Sequence, residues 1–275
     1  MLPSQKFAVI GDVTNESLDA IMAGLDPQKE DIILSTCGTG CIPIALAEYA
    51  ERIDAVDIES HTLTYTQELM ELLKGEKFTE FVSRGTYWSP EEGKQRRAYF
   101  SRGVQFSGNQ PVNSDLRIVM DLLMILGSDE FSLDGGQSEP DYSNCKRLHK
   151  IRDNLGRVKL IHGDIKDAMD QNTYTKIFLS NVIGYQDNDF LNAAQMLQSV
   201  ARSLAAGGLL YSTIGSLTSK HLATATSQGL IQPGTFVLDS QKTKRVATLQ
   251  SDALRRIEEA GGPKYAWNPQ VYMKT

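Results

Sequence analysis

Residues 31–57 constrain the fold of this chain more than any other part of it. Asp31-Ile-Ile-Leu-Ser35 reads as a short strand of the buried type, and it runs into the glycine turn Thr36-Cys-Gly-Thr-Gly40. Ile42 to Tyr49, rich in Ala and Leu, follows as a helix. Arg52-Ile-Asp-Ala-Val-Asp57 is then a second strand, ending on an acid. Strand, glycine turn, helix, strand and acid in that order make the first half of a doubly wound sheet.

The flanking sequence extends the pattern. Leu18, Ile21, Met22 and Leu25 fall on one face of a helix over residues 16–25. Asp26-Pro27 closes it, because a residue before proline avoids the helical region. Thr62 to Leu73 reads as the next helix. Roughly 80 residues then pass before another clear strand, far more than the usual connection. This insertion has content of its own: Leu116, Val119, Met120, Leu123 and Leu126 repeat at helical spacing, and Ser132 to Asn144 reads as an exposed loop. The α/β pattern resumes with Arg157-Val-Lys-Leu-Ile161, followed by His162-Gly-Asp164, and then Lys176-Ile-Phe-Leu-Ser180. Phe190, Ala194, Leu197, Ala201 and Leu204 mark an amphipathic helix, with Gly207-Gly208 as its end and Leu209 to Thr213 as a further strand. The tail offers a strand at Phe236 to Leu238, a helix around Leu254 and Ile257, and a last strand near Val271. The expected fold is α/β: a doubly wound, mostly parallel Rossmann-like sheet with a largely helical insertion after the second strand. One domain over 1–275 carries an inserted subdomain at 76–156, although 275 residues also leave room for two small domains.

Composition sets limits on function. A net charge of -6 argues against a nonspecific nucleic-acid binder, without excluding a local basic patch. Cys37, Cys41 and Cys145 are too few and too uneven for a disulfide framework. With four histidines in the chain no zinc-ligand spacing arises, so no metal is expected. The start, MLPSQKFAVIGD, is unlike a signal peptide, and the apolar stretch Leu122 to Leu126 is far too short to span a membrane. The expectation is a soluble, cytoplasmic protein.

Four features fall at the carboxyl ends of consecutive strands, where open α/β sheets bind ligands. Gly38 and Gly40 let the backbone approach a ligand closely, although any strand-to-helix turn favours glycine. Asp57, 17 residues after Gly40, is placed to accept both hydroxyls of a ribose; a plain surface acid at a strand end reads the same way. Asp164 is placed to accept an adenine amino group while Ile165 packs on the ring, or else to cap the helix that follows. Asn181, in Leu179-Ser-Asn-Val-Ile-Gly-Tyr185, opens onto the reacting centre together with Tyr185, unless this is an ordinary turn. A nicotinamide-type fingerprint needs a third glycine where this chain has Pro43.

Cys37-Gly-Thr-Gly40, Ala55-Val-Asp57, Gly163-Asp164 and Leu204-Ala-Ala-Gly-Gly208 stand in the order that resembles the class I S-adenosylmethionine-dependent transferases. Leu34 stands where the common methyltransferase pattern has an acid, and Thr36 where it has the first glycine. Ile33-Leu-Ser-Thr-Cys-Gly-Thr-Gly40, Ile53-Asp-Ala-Val-Asp57, Lys77-Phe-Thr-Glu-Phe-Val-Ser-Arg-Gly85, Trp88-Ser-Pro-Glu-Glu92 and Phe178-Leu-Ser-Asn181 resemble a narrower group, the betaine-lipid-synthase type of aminocarboxypropyl transferase. The resemblance covers roughly residues 7–215 and is clearest in the core. It implies S-adenosylmethionine as co-substrate, held by Thr36, Cys37, Gly38, Gly40, Asp57, Ile58, Asp164, Ile165, Asn181 and Val182.

Group transfer from a sulfonium needs positioning more than a nucleophilic triad, because the co-substrate is already activated. Two reactions therefore stay open: aminocarboxypropyl transfer, which the narrower resemblance implies, and methyl transfer. A module that binds without turnover is a third reading. Asn181, Tyr185 and His61 are the candidate catalytic residues, although a lone histidine here also reads as a surface residue. In the insertion Tyr87, Trp88, Arg96, Arg97 and Tyr99 mix rings and cations, as an anionic or polar acceptor would require. They also fit a solvated face. The expected acceptor is a small molecule or a lipid head group, not a nucleic acid.

Overall fold

The computed structural model describes residues 17–75, 146–185, 190–259 and 267–275. In chain order the elements are Leu18–Leu25 (α1), Ile32–Thr36 (β1), Cys41–Leu46 (α2), Arg52–Asp57 (β2), Ser60–Lys74 (α3), Lys146–Asn154 (α4), Val158–His162 (β3), Ile165–Gln171 (α5), Tyr174–Phe178 (β4) and Val182–Tyr185 (α6). Phe190–Ser203 (α7), Leu204–Ser212 (β5), Gly215–Ser227 (α8), Phe236–Leu238 (β6), Ser240–Glu259 (α9) and Gln270–Lys274 (β7) complete them. The strands form one sheet in the order β3-β2-β1-β4-β5-β7-β6. β1 to β5 pair in parallel, and β7 runs antiparallel between β5 and β6.

Alternation along the strands divides the core between the two faces. Ile33, Ile53, Ala55, Leu209, Tyr211 and Val271 point to the face covered by α1, α2, α3 and α9. Leu34, Val56, Ile177, Leu210 and Tyr272 point to the other, under α5, α7 and α8. The central strands β1 and β5 are buried on both faces, which is why Ile-Ile-Leu and Leu-Leu-Tyr read as apolar runs in the sequence. At the end of α1, Asp26 takes a left-handed conformation (φ 48°), so the helix stops before Pro27.

Two sequence expectations need revision here. Gly207-Gly208 does not end α7, which stops at Ser203. The pair lies within β5, where the register against β4 shifts between Tyr174 and Lys176 and Gly207 takes φ 74°. A Cβ at Gly208 would lie 2.8 Å from the carbonyl oxygen of Thr175 and 2.7 Å from Leu204 Cδ1. The glycines serve a bulge and a close strand approach rather than a cap. Secondly, α8 is a helix that the sequence reading left out. Its Ser- and Thr-rich sequence has weak helical preference, and burial of Thr218, His221, Leu222 and Ala225 holds it.

The described end of the insertion belongs to the main body. Arg152 of α4 donates through Nε to the carbonyl of Leu73, and through Nη2 to that of Gly75 at 3.1 Å. Lys150 Nζ lies 3.1 Å from Glu48 Oε1, and Arg157 Nη1 donates to the carbonyl of Ala50 at 2.8 Å. Glu48 and Ala50 immediately precede β2, so α4 sits at the amino edge of the sheet. The chain therefore leaves for residues 76–145 and returns from them at the edge opposite to the carboxyl ends of the strands. The expected helix over 116–126 and the loop at 132–144 lie outside the described residues.

Candidate functional site

β1 and β2 run side by side in register, so Thr36 at the end of β1 lies beside Val56, one residue before Asp57. The N–H of Cys37 carries the ladder one step further by donating to the carbonyl of Val56 at 2.8 Å. The chain then turns, with the N–H of Gly40 donating to the carbonyl of Cys37 at 2.9 Å. Gly38 and Gly40 take φ of 52° and 80°, values that L side chains rarely adopt. The two glycines differ in what surrounds them. A Cβ on Gly38 would meet nothing within 4 Å, so this part of the turn faces open space. A Cβ on Gly40 would fall 2.5 Å from Thr66 Oγ1, so Gly40 is packed hard against α3.

Asp57 lies across from the turn. Its Oδ2 accepts from the N–H of Gly38 at 3.3 Å and its Oδ1 from that of Glu59 at 2.9 Å. Burial pushes its carboxyl above the usual range, against the opposing pull of those two backbone donors. Ile58 follows and is 66% exposed, the most exposed large apolar side chain among the described residues. The carbonyl of Ile58 lies 3.0 Å from His162 Nε2, and the N–H of Gly163 donates to the carbonyl of Asp57 at 3.0 Å. These bonds tie the ends of β2 and β3 together beside the glycine turn.

Asp164 caps α5, with its carboxylate accepting from the N–H of Lys166 at 2.9 Å. Ile165 is buried in the core under that helix. Asn181 follows β4 and is half-buried; Ser180 Oγ donates to its Oδ1 at 3.4 Å. Ser180 itself has φ 52°, a strained conformation outside glycine, of the kind that concentrates at functional turns. Val182 opens α6 and Tyr185 is its last residue. His61, near the start of α3, is exposed, with Nδ1 at 3.5 Å from Glu59 Oε2. The carboxyl edge thus collects the glycine turn, Asp57, Ile58, His61, Asp164 and Asn181. Tyr87, Trp88, Arg96, Arg97 and Tyr99 lie outside the described residues. Sequence reasoning missed Thr66, because a threonine within an amphipathic helix carries no signal of what it touches.

Cys37 is packed rather than poised to react. It is 2% exposed and its Sγ lies 3.2 Å from Thr66 Oγ1. Burial pushes the thiol up to about 12, and the charge of Asp57 adds to the rise. The thiolate is the reactive form, so little of it exists at neutral pH. Cys41 is buried as well. In the native protein, maleimide labelling at Cys37 and Cys41, mapped by mass spectrometry, should be at least ~100-fold slower than after denaturation. Labelling of Cys37 at the denatured rate would show that the turn is open.

Among the described residues no cluster of three His, Cys, Asp or Glu side chains is arranged to hold a metal ion, and no helix is long and apolar enough to cross a membrane.

Strand order, the antiparallel β7 and the flanking helices define a class I methyltransferase-like Rossmann fold. No family model matches the chain, and no curated protein matches it. Among solved structures it is similar to a Streptococcus mutans protein assigned as a methyltransferase, in complex with SAH, with 11% identity over 96% of this chain and 100% of that one (TM-score 0.44). It is similar also to the N-methyltransferase NodS from Bradyrhizobium japonicum, with 9% identity, 93% and 92% coverage and a TM-score of 0.40. A third is an rRNA methylase from Streptococcus thermophilus, with 11% identity, 94% and 92% coverage and a TM-score of 0.38.

Proposed function

We propose that this protein binds S-adenosylmethionine at the carboxyl edge of its sheet and transfers its 3-amino-3-carboxypropyl group. One observation carries the binding: the open side of Gly38 stands beside the Asp57 carboxylate, next to an exposed Ile58. A backbone without Cβ admits the ligand, a carboxylate accepts from two ribose hydroxyls, and an apolar side chain otherwise left in water covers an adenine ring. Thr36, Cys37 and Gly40 shape the turn, and Asp164, Ile165, Asn181 and Val182 line or support the neighbouring strand ends. No metal is needed.

The choice of group rests on the motifs that resemble the aminocarboxypropyl transferases. In that reaction the acceptor's nucleophile forms a bond to the arm carbon next to sulfur. The carbon–sulfur bond breaks, its electron pair stays on sulfur as neutral methylthioadenosine, and the nucleophile gives up a proton. Asn181, Tyr185 and His61 are the groups proposed to orient the acceptor or receive that proton. Methyl transfer is the second reading, because the same edge geometry serves attack on the methyl carbon equally well. Within the inserted segment 76–156, we assign residues 76–145 to the acceptor side, with Tyr87, Trp88, Arg96, Arg97 and Tyr99 contacting a small polar acceptor or a lipid head group.

Incubation with S-adenosylmethionine and a panel of small amine, hydroxyl and lipid-head-group acceptors, followed by chromatography, distinguishes the two reactions. Protein-dependent methylthioadenosine is the expected product. S-adenosylhomocysteine would replace this reading with methyl transfer.

A further inference from the structure

We infer that Thr66 is a positioning residue for the glycine turn, resting on the reading that this turn holds S-adenosylmethionine. Thr66 is fully buried on α3 and touches both ends of the turn. Its Oγ1 lies 3.2 Å from Cys37 Sγ, and it fills the space that a Cβ on Gly40 would occupy. Counting protons assigns the direction of the sulfur contact. The Thr66 hydroxyl has a single proton and donates it to the carbonyl of Thr62 at 2.9 Å. Its oxygen is then the acceptor, and the Cys37 thiol is the donor. That thiol keeps its proton throughout the physiological range, because burial raises its pKa to about 12. The hydrogen bond is therefore constant with pH.

The consequence concerns order. Gly38 and Gly40 both take left-handed conformations, and glycine turns lose much conformational freedom when fixed. With Thr66 holding Cys37 on one side and packing under Gly40 on the other, the turn is ordered before a ligand arrives. Binding then avoids the cost of ordering it.

Two substitutions separate this role from simple packing. Thr66→Val keeps the volume and removes the oxygen, whereas Thr66→Ser keeps the oxygen and removes a methyl group. Calorimetric titration with S-adenosylmethionine should show about three- to tenfold weaker binding for Thr66→Val, the range of one lost hydrogen bond, and near wild-type binding for Thr66→Ser. A packing role predicts the reverse order. Amide hydrogen exchange of the ligand-free protein provides a reading that is independent of any ligand. Exchange across residues 37–42 should quicken in Thr66→Val and stay at the wild-type rate in Thr66→Ser. Wild-type exchange in Thr66→Val, or equal acceleration in both variants, overturns the inference. If wild-type protein fails to bind S-adenosylmethionine while the exchange pattern holds, it is the functional reading that fails and not the role of Thr66.

Discussion

Gly40→Ala is expected to destabilise the protein by about 2–4 kcal/mol, combining the cost of a left-handed alanine with that of a buried overlap. Gly40 sits at φ 80°, which an alanine adopts only under strain. The new methyl group would also lie 2.5 Å from Thr66 Oγ1, 2.6 Å from Cγ2 and 2.9 Å from Cβ. Because Cβ is among these atoms, rotating the threonine side chain does not clear the overlap. Either α3 or the turn must move. Thermal and urea unfolding measure the loss, and the double variant with Thr66→Ala separates its parts. Removing the threonine hydroxyl and methyl group relieves most of the overlap but none of the backbone strain, so the two substitutions should be less than additive. A Gly40→Ala protein as stable as the wild type would mean that the turn does not adopt this conformation in solution.

Asp57→Ala is expected to weaken S-adenosylmethionine binding by about 1–3 kcal/mol, the scale of hydrogen bonds to a charged group. The same residue should leave a mark on the ligand-free protein. Burial raises its carboxyl above the ordinary 3.8, so the folded state holds this proton more tightly than the unfolded chain does. Its contribution to stability is fully present below pH 3.8 and is lost as pH rises through the folded value. The ionised carboxylate is thus a burden on the ligand-free fold at neutral pH, partly offset by the N–H groups of Gly38 and Glu59. Melting temperatures of wild type and Asp57→Ala compared from pH 3.5 to pH 7 should show the wild type's relative stability falling with pH. A difference that stays constant, or rises with pH, would contradict the burial of this carboxylate.

Much of this arrangement is legible in the sequence because one rule recurs along it. The central strands of a parallel sheet are buried on both faces and read as apolar runs, and in open α/β sheets ligands bind where the strands stop. β2 spans Arg52 to Asp57 as read, and β1, β3 and β4 differ from the reading by one or two residues at their ends. What was not legible depends on contacts distant in sequence. Gly207-Gly208 fits a helix end and a strand bulge equally well, and only the packing against Thr175 decides between them. The helix α8 forms on tertiary burial against weak local preference. Ile58 and Ile165 look alike as apolar residues after an acid, yet one is exposed at the edge and the other is buried beneath α5. Thr66 gained its place from the turn it faces, and no local pattern records that.

The most direct measurement is a calorimetric titration of the ligand-free protein with S-adenosylmethionine, run in parallel on wild type and Asp57→Ala. Saturable one-site binding to the wild type, weakened about fivefold or more by the substitution, is the predicted result. Absence of binding to the wild type, or equal affinity in the two proteins, would contradict a site for S-adenosylmethionine at Asp57 and the glycine turn.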